Sequence, residues 1–217
     1  MKTDAQLKKD VMEELQWDPS FNATKIGVAV NDGVVTVTGH LDTFAEKQAV
    51  ERAVQRVHSV KTIAMEIDVK LDPRHQRSDS EIAAAVESAL KWHADVPEDR
   101  IRVKVEQGRV ALEGEVDWDH QRQSAAAAVA CLTGVVGVDN AIRLKASTMP
   151  ANVADCIRDA LARHAEQQAG QIEVSAKGST VTLSGRVDSW AERSAAQAAA
   201  WSALGVQNVV NEIKVRL

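Results

Sequence analysis

A chain of 217 residues with a net charge of -5 and 3% aromatic residues is not basic enough to draw nucleic acid by charge, and it shows no aromatic platform flanked by Lys or Arg. No apolar run of about 18 residues is present, and Lys2, Asp4, Lys8, Lys9 and Asp10 interrupt the N-terminus, so neither a transmembrane segment nor a signal peptide is expected. The chain as given therefore reads as cytoplasmic, and as periplasmic if a signal has been removed.

In chain order, Leu7, Val11 and Leu15 stand at i, i+4 and i+8, one stripe of an amphipathic helix with Thr3 or Asp4 as N-cap and Pro19 as its stop. Ile26, Val28 and Val30 then alternate with polar residues, and Val35 and Val37 resume the alternation after Asn31-Asp32-Gly33. That pattern predicts a β-hairpin. A second helix, roughly residues 44–57, carries Ala49, Val50, Ala53, Val54 and Val57 on one face, and alternating Ile63, Met65, Ile67 and Val69 predict a third strand.

The same order then recurs twice. A shift of 75 carries Leu7, Val11, Leu15, Ile26, Val35 and Gly39 onto Ile82, Val86, Leu90, Ile101, Val110 and Gly114, and Trp17 onto Trp92. A further shift of 71 carries Ile82, Val86, Leu90, Ile101, Val110 and Gly114 onto Val153, Ile157, Leu161, Ile172, Val181 and Gly185. Repeats of this length are one supersecondary unit each. The expected fold class is α+β: three tandem two-layer α-β-β-α-β sandwiches over residues 1–71, 78–146 and 149–217, each a three-stranded mixed sheet with two helices on one face. The open sheet face, with Thr36, Thr38 and Asp68, is expected to be partly solvated.

Asp72-Pro73-Arg74-His75-Gln76-Arg77 and Ala146-Ser147-Thr148-Met149-Pro150 read as linkers. The turn Lys177-Gly178-Ser179 in the third copy is expected to be one residue longer than Glu106-Gln107-Gly108 in the second. Lys plus Arg against Asp plus Glu comes to 11 and 12 for residues 1–77, 8 and 12 for 78–147, and 7 and 7 for 148–217, so the negative charge is concentrated in the middle copy.

A catalytic constellation needs converging groups, and none is legible. The six histidines show no paired metal-ligand spacing, and only His93 and His164 are equivalent, both at the end of a first helix. Cys131 and Cys156 lie on the apolar sides of predicted helices in different copies and are expected to be buried free thiols. No catalytic residue, metal or cofactor is expected. Gly39, Gly114 and Gly185 recur at the end of the second strand, where a bend or a close backbone approach is required. Gly134 and Gly205 follow the second helix as expected C-caps. Asp42, Asp117 and Asp188 recur just before it as expected N-caps.

The segment from Gly178 to Arg193, Gly-Ser-Thr-Val-Thr-Leu-Ser-Gly-Arg-Val-Asp-Ser-Trp-Ala-Glu-Arg, followed by Gly205-Val-Gln-Asn-Val-Val-Asn-Glu-Ile213, resembles the signature of the BON domain of bacterial osmotically inducible proteins. Residues 108–122 with Gly134-Val-Val-Gly-Val-Asp-Asn140, and residues 33–47, echo it. The first copy departs from the pattern, with Ser59 in place of the glycine and Met65 in place of Asn140 and Asn211, so its last loop is expected to differ. The resemblance implies the α-β-β-α-β fold, no enzymatic activity, and binding of phospholipid or apolar surfaces in osmotic or envelope stress. A related protein that pairs one such domain with a LysM domain binds potassium, which keeps a potassium-responsive reading open beside a cytoplasmic structural or assembly role.

Among partners, a phospholipid or membrane surface, a protein partner and self-association all stay open. Candidate ligand-binding residues are amphipathic aromatics: Trp17 and Trp92 ending equivalent first helices, and Phe44, Trp118 and Trp190 opening the second. A core or staple role is the competing expectation for each. The Ala-rich second helices, residues 125–130 and 195–200, are compatible with close helix packing.

Overall fold

The computed structural model describes residues 2–146, 150–164 and 172–216. The first copy consists of α1 (Asp4–Trp17), β1 (Ile26–Asn31), β2 (Val34–Leu41), α2 (Phe44–Arg56) and β3 (Thr62–Val69). The second has α3 (Asp79–Trp92), β4 (Ile101–Glu106), β5 (Arg109–Val116), α4 (Asp119–Ala130) and β6 (Gly137–Leu144), and the third α5 (Val153–His164), β7 (Ile172–Lys177), β8 (Thr180–Val187), α6 (Trp190–Trp201) and β9 (Asn208–Val215). These are three tandem α+β units, each with its own three-stranded sheet.

Strand order, which periodicity leaves open, places the second strand in the centre of each sheet. It pairs antiparallel with the first strand and parallel with the third. The central strand carries the most deeply buried residues, with Val35, Val37, Val110, Leu112, Val181 and Leu183 sealed under the helices. The predicted stripes of the first helices, Leu7-Val11-Leu15 and Ile82-Val86-Leu90, are buried against them. On the open sheet face Thr38 and Asp68 are exposed and Thr36 is half-buried.

All three hairpin turns are two residues long, closing between Asn31 and Val34, Glu106 and Arg109, and Lys177 and Thr180. The third turn therefore holds no insertion. Its glycine has moved to the first turn position, where Gly178 takes φ 61°, whereas Asp32-Gly33 and Gln107-Gly108 hold positive φ at both positions. Glycine at the first position alone satisfies a type II′ turn at the same length as a type I′ turn.

In the first two copies the hairpin tip is tied to the first helix by a carboxylate. Asp4 accepts the N–H groups of Asp32 and Gly33 at 2.8 and 3.0 Å, and Asp79 those of Gln107 and Gly108, both at 2.9 Å. Thr3, one residue earlier, is the N-cap of α1. In the third copy Pro150 stands at the position of Asp4 and Asp79, so that tether has no counterpart.

Gly39 and Gly114 lie within the second strands at φ 139° and 147°, and Gly185 at 132°. A Cβ on Gly39 or Gly114 would run into the carbonyl oxygen of Lys25 or Arg100, the residue just ahead of the neighbouring strand. No L side chain is accommodated at that approach.

Asp79→Ala removes two charge-assisted hydrogen bonds from one hairpin tip and is expected to destabilise the second copy by roughly 1–3 kcal/mol. Denaturant titration, with amide exchange at Gln107 and Gly108 as the local readout, checks this; unchanged protection at both amides would refute the tether.

Candidate functional site

Four expectations need correction here. The N-caps are Thr43 and Ser189, whose hydroxyls accept from the N–H of Glu46 and Glu192, and not the preceding aspartates. Asp42 and Asp117 instead form ion pairs with Lys25 at 2.6 Å and Arg100 at 3.0 Å. Asp188 lies 3.6 Å from Arg216. An Asp one residue ahead of the cap points back along the incoming strand and meets a cation there. Gly134 and Gly205, at φ 96° and 80°, lie four residues beyond the ends of α4 and α6, so they shape the loop into the third strand and do not cap the helix. Ser59 adopts the same positive φ, 70°, in the first copy, so that loop keeps its turn without glycine. Finally, Cys131 and Cys156 are both exposed.

The later copies clamp the second helix to the third strand through Asn140 and Asn211. Their amides donate to the carbonyls of Arg122 at 2.9 Å and Arg193 at 3.3 Å, and their side-chain oxygens accept the N–H of Ile142 and Ile213. With Met65 at this position, the first copy packs the thioether against its core, and Lys47 reaches the Ile67 carbonyl at 2.7 Å. His93 is the C-cap of α3, its backbone N–H donating to the Leu90 carbonyl. The His164 side chain lies outside the described residues.

The candidate aromatics divide into two groups. Trp17 and Trp92, at the last positions of α1 and α3, are 85% and 89% exposed, so neither is a core or staple residue. Both rings stand in solvent at equivalent positions of successive copies. Asp18, which follows Trp17 and C-caps α1, accepts the Ser20 N–H at 3.0 Å and pairs with Arg56 of α2 at 3.1 Å. Hydrogen bonding from Ser20, then from Arg56, holds the Asp18 carboxyl below its ordinary value.

The second group lies where copies meet. Phe44 opens α2 and packs against the buried core of the second copy. Beside it, Thr43, Ala45 and Leu71 face Ala130, Leu132 and Val135 across a small cavity of about 110 Å³. Trp190 opens α6 and packs against the core of the first copy, its Nε1 donating to the Val60 carbonyl at 2.9 Å. The N–H of Ser59 donates to the Asp188 carbonyl at 3.4 Å in the same joint.

Between the second and third copies, Trp118 is 39% exposed. It lines a cavity of about 230 Å³ with Leu144 and Lys145 on one side and Trp201, Leu204 and Val206 on the other. The Arg122 guanidinium stands 4.5 Å over the Trp201 ring. Trp201 belongs to this cluster and escapes a sequence reading because it ends its helix inside an alanine run that already accounts for the burial.

In each joint the start of one second helix meets the region following another: first onto second, second onto third, third onto first. The positive N-terminal end of each helix is thereby brought toward the negative C-terminal end of its neighbour, which favours the arrangement.

Among the described residues, no group of three or more His, Cys, Asp or Glu is placed to hold a metal ion, and no helix is long and apolar enough to cross a membrane.

A model of the BON domain matches residues 3–70, 78–146 and 151–216. No curated protein matches the chain. Among solved structures, the C-terminal domain of CdsD, the structural protein of the type III secretion system of Chlamydia trachomatis, is 16% identical over 100% of both chains, with a TM-score of 0.27. Another structure of CdsD is 17% identical over 97% of this chain and 92% of that one, with a TM-score of 0.24.

Two outcomes follow from this geometry. Trp190→Ala is expected to cost roughly 2–4 kcal/mol of stability, and Trp118→Ala about 1 kcal/mol or less, in chemical denaturation. As to pH, Asp18 is depressed in the folded state, so its contribution is complete above the unfolded carboxyl value of about 3.9 and is lost as pH falls through the lower folded value. The Trp17 indole resonance is expected to shift over that acid range in the parent protein, with the Asp18-dependent part absent in Asp18→Asn.

Proposed function

The chain belongs to the BON domain family, and we propose that it is a non-catalytic module that docks on phospholipid surfaces through Trp17 and Trp92. BON domains form a family of binding modules known to bind phospholipids and associated with stress and transport proteins. The observation that carries the reading is the near-complete exposure of two large amphipathic rings at equivalent positions of successive copies.

A Trp ring with an apolar body and a single N–H is suited to the boundary between acyl chains and head groups.

Partial insertion of two rings supplies about 5 kcal/mol at roughly 25 cal/mol per Å². That lies between millimolar and micromolar affinity, so docking is reversible and each ring matters. A net charge of -5 opposes anionic head groups, so insertion, and not charge, supplies the affinity. The stress setting is carried over from the family as part of the same proposal.

Cosedimentation with vesicles of phosphatidylcholine, with and without phosphatidylglycerol, tests this at low and physiological salt. Binding to vesicles is expected, and Trp17→Ala with Trp92→Ala is expected to weaken it by roughly three orders of magnitude while leaving the melting temperature unchanged. Failure of the parent protein to bind either vesicle, or full binding by the double variant, would overturn the reading.

A further inference from the structure

Aligning the copies position by position gives the joints a common grammar. Phe44, Asp119 and Trp190 occupy the same place, the first residue of the second helix. Gln55, Ala130 and Trp201 share another, near the end of that helix. Where the first copy meets the second, an aromatic knob, Phe44, faces a region whose residue at the second position is Ala130. Where the third meets the first, Trp190 approaches a helix carrying Gln55, and no aromatic, at that position.

The joint between the second and third copies reverses the pattern. The knob position holds Asp119, 6% exposed and paired with Arg122 and Gln123, while the receiving position holds Trp201. At this pair of positions the aromatic has moved across the seam, and Trp118, one residue ahead of Asp119, lines the cavity beside it.

The cation beside the joint follows it. Arg122 and Arg193 are equivalent residues. Arg193 lies 5.1 Å over Trp190 of its own helix, whereas Arg122 reaches across to Trp201 of the next copy at 4.5 Å. The same Arg thus stacks on the aromatic from whichever side supplies it, and pairs with Asp119 where the knob is acidic.

We propose that these joints form a self-recognition interface in which one aromatic at these two paired positions, contributed from either side, sets which copy docks on which. The partner the surface fits is another copy of this domain. In this chain the third copy closes on the first and fills the last receiving surface from within, so the assembly is held by the joints and not by the linkers. A head-to-tail contact that closes leaves no free end for further growth. Exchanging the aromatic between sides gives order, since two aromatics at the paired positions compete for one space and none leaves it unfilled.

The test uses the full chain with a specific protease site inserted between Gln76 and Arg77, both exposed. After cutting, the fragment 1–76 is expected to co-elute with the remainder in gel filtration at micromolar concentration, because two joints hold it. Trp190→Asp is expected to weaken that association by roughly 30-fold or more, as truncation of a central interface aromatic does. Adding Gln55→Trp to Trp190→Asp recreates the arrangement of Asp119 with Trp201, Arg193 being already in place, and is expected to recover most of the loss. Circular dichroism of each uncut variant separates loss of the joint from loss of the fold, and Trp190→Phe, which keeps the knob, is expected to co-elute like the parent.

Separation of the cut parent chain into two species would overturn the interface. Co-elution that Trp190→Asp leaves unchanged would overturn its dependence on the aromatic. A double variant no tighter than Trp190→Asp would overturn the exchange. No lipid enters the assay, so its outcome is independent of the docking proposed above.

Discussion

Burial of the first residue of each second helix against the next copy is the contact on which the larger structure rests. A unit of about 70 residues is near the lower limit for a hydrophobic core that stands alone. Its three-stranded sheet is covered on one face by two helices, and those helices are themselves covered on one side only. Phe44 and Trp190 extend one copy's core into the next, adding apolar burial where an isolated unit has least to spare. Between the second and third copies the corresponding contact is the Arg122 guanidinium over the Trp201 ring.

Inside each copy, a few backbone requirements fix the frame that presents these residues. The central strand comes close enough to its neighbour at Gly39 and Gly114 that a methyl group would collide with a carbonyl oxygen. The two-residue turn tolerates different residues provided positive φ is available, and the Asp4 and Asp79 carboxylates tie two of the three tips to the first helix. These are local constraints. They repeat because the geometry repeats, and where one is missing, as with Pro150, nothing in the strand register changes.

The division of the aromatics gives each group a separate task. Trp17 and Trp92 stand in solvent, where the docking proposed above gives these large rings a surface to meet. Phe44 and Trp190 are committed to the joints, and Trp118 lines the cavity between the second and third copies. Residues of the same chemical class, all at helix ends, are thus sorted by the direction in which the helix end points. The clamp formed by Asn140 and Asn211 with the Arg122 and Arg193 carbonyls ties the second helices of the later copies to their third strands.

The sequence by itself determined the three-fold repetition, the α-β-β-α-β order and the buried stripes, because apolar period and glycine position report local structure directly. Leu7-Val11-Leu15 and the alternation through Ile26 and Val37 needed no tertiary information. The candidate aromatics were also legible, but their roles were not, since a helix end has the same sequence whether it faces solvent or a neighbour. Asp42 read as a cap because an Asp before a helix has that chemistry; only Lys25, 17 residues earlier in sequence, drew it away. Cys131 and Cys156 read as buried because helical spacing places them near apolar residues, and spacing does not locate the edge of a packed face. The pairing order of the strands, the closing of the third copy on the first and the exchange of Trp201 for a knob aromatic were decided by tertiary structure alone, because each depends on contacts between residues far apart in the chain, which no local periodicity records.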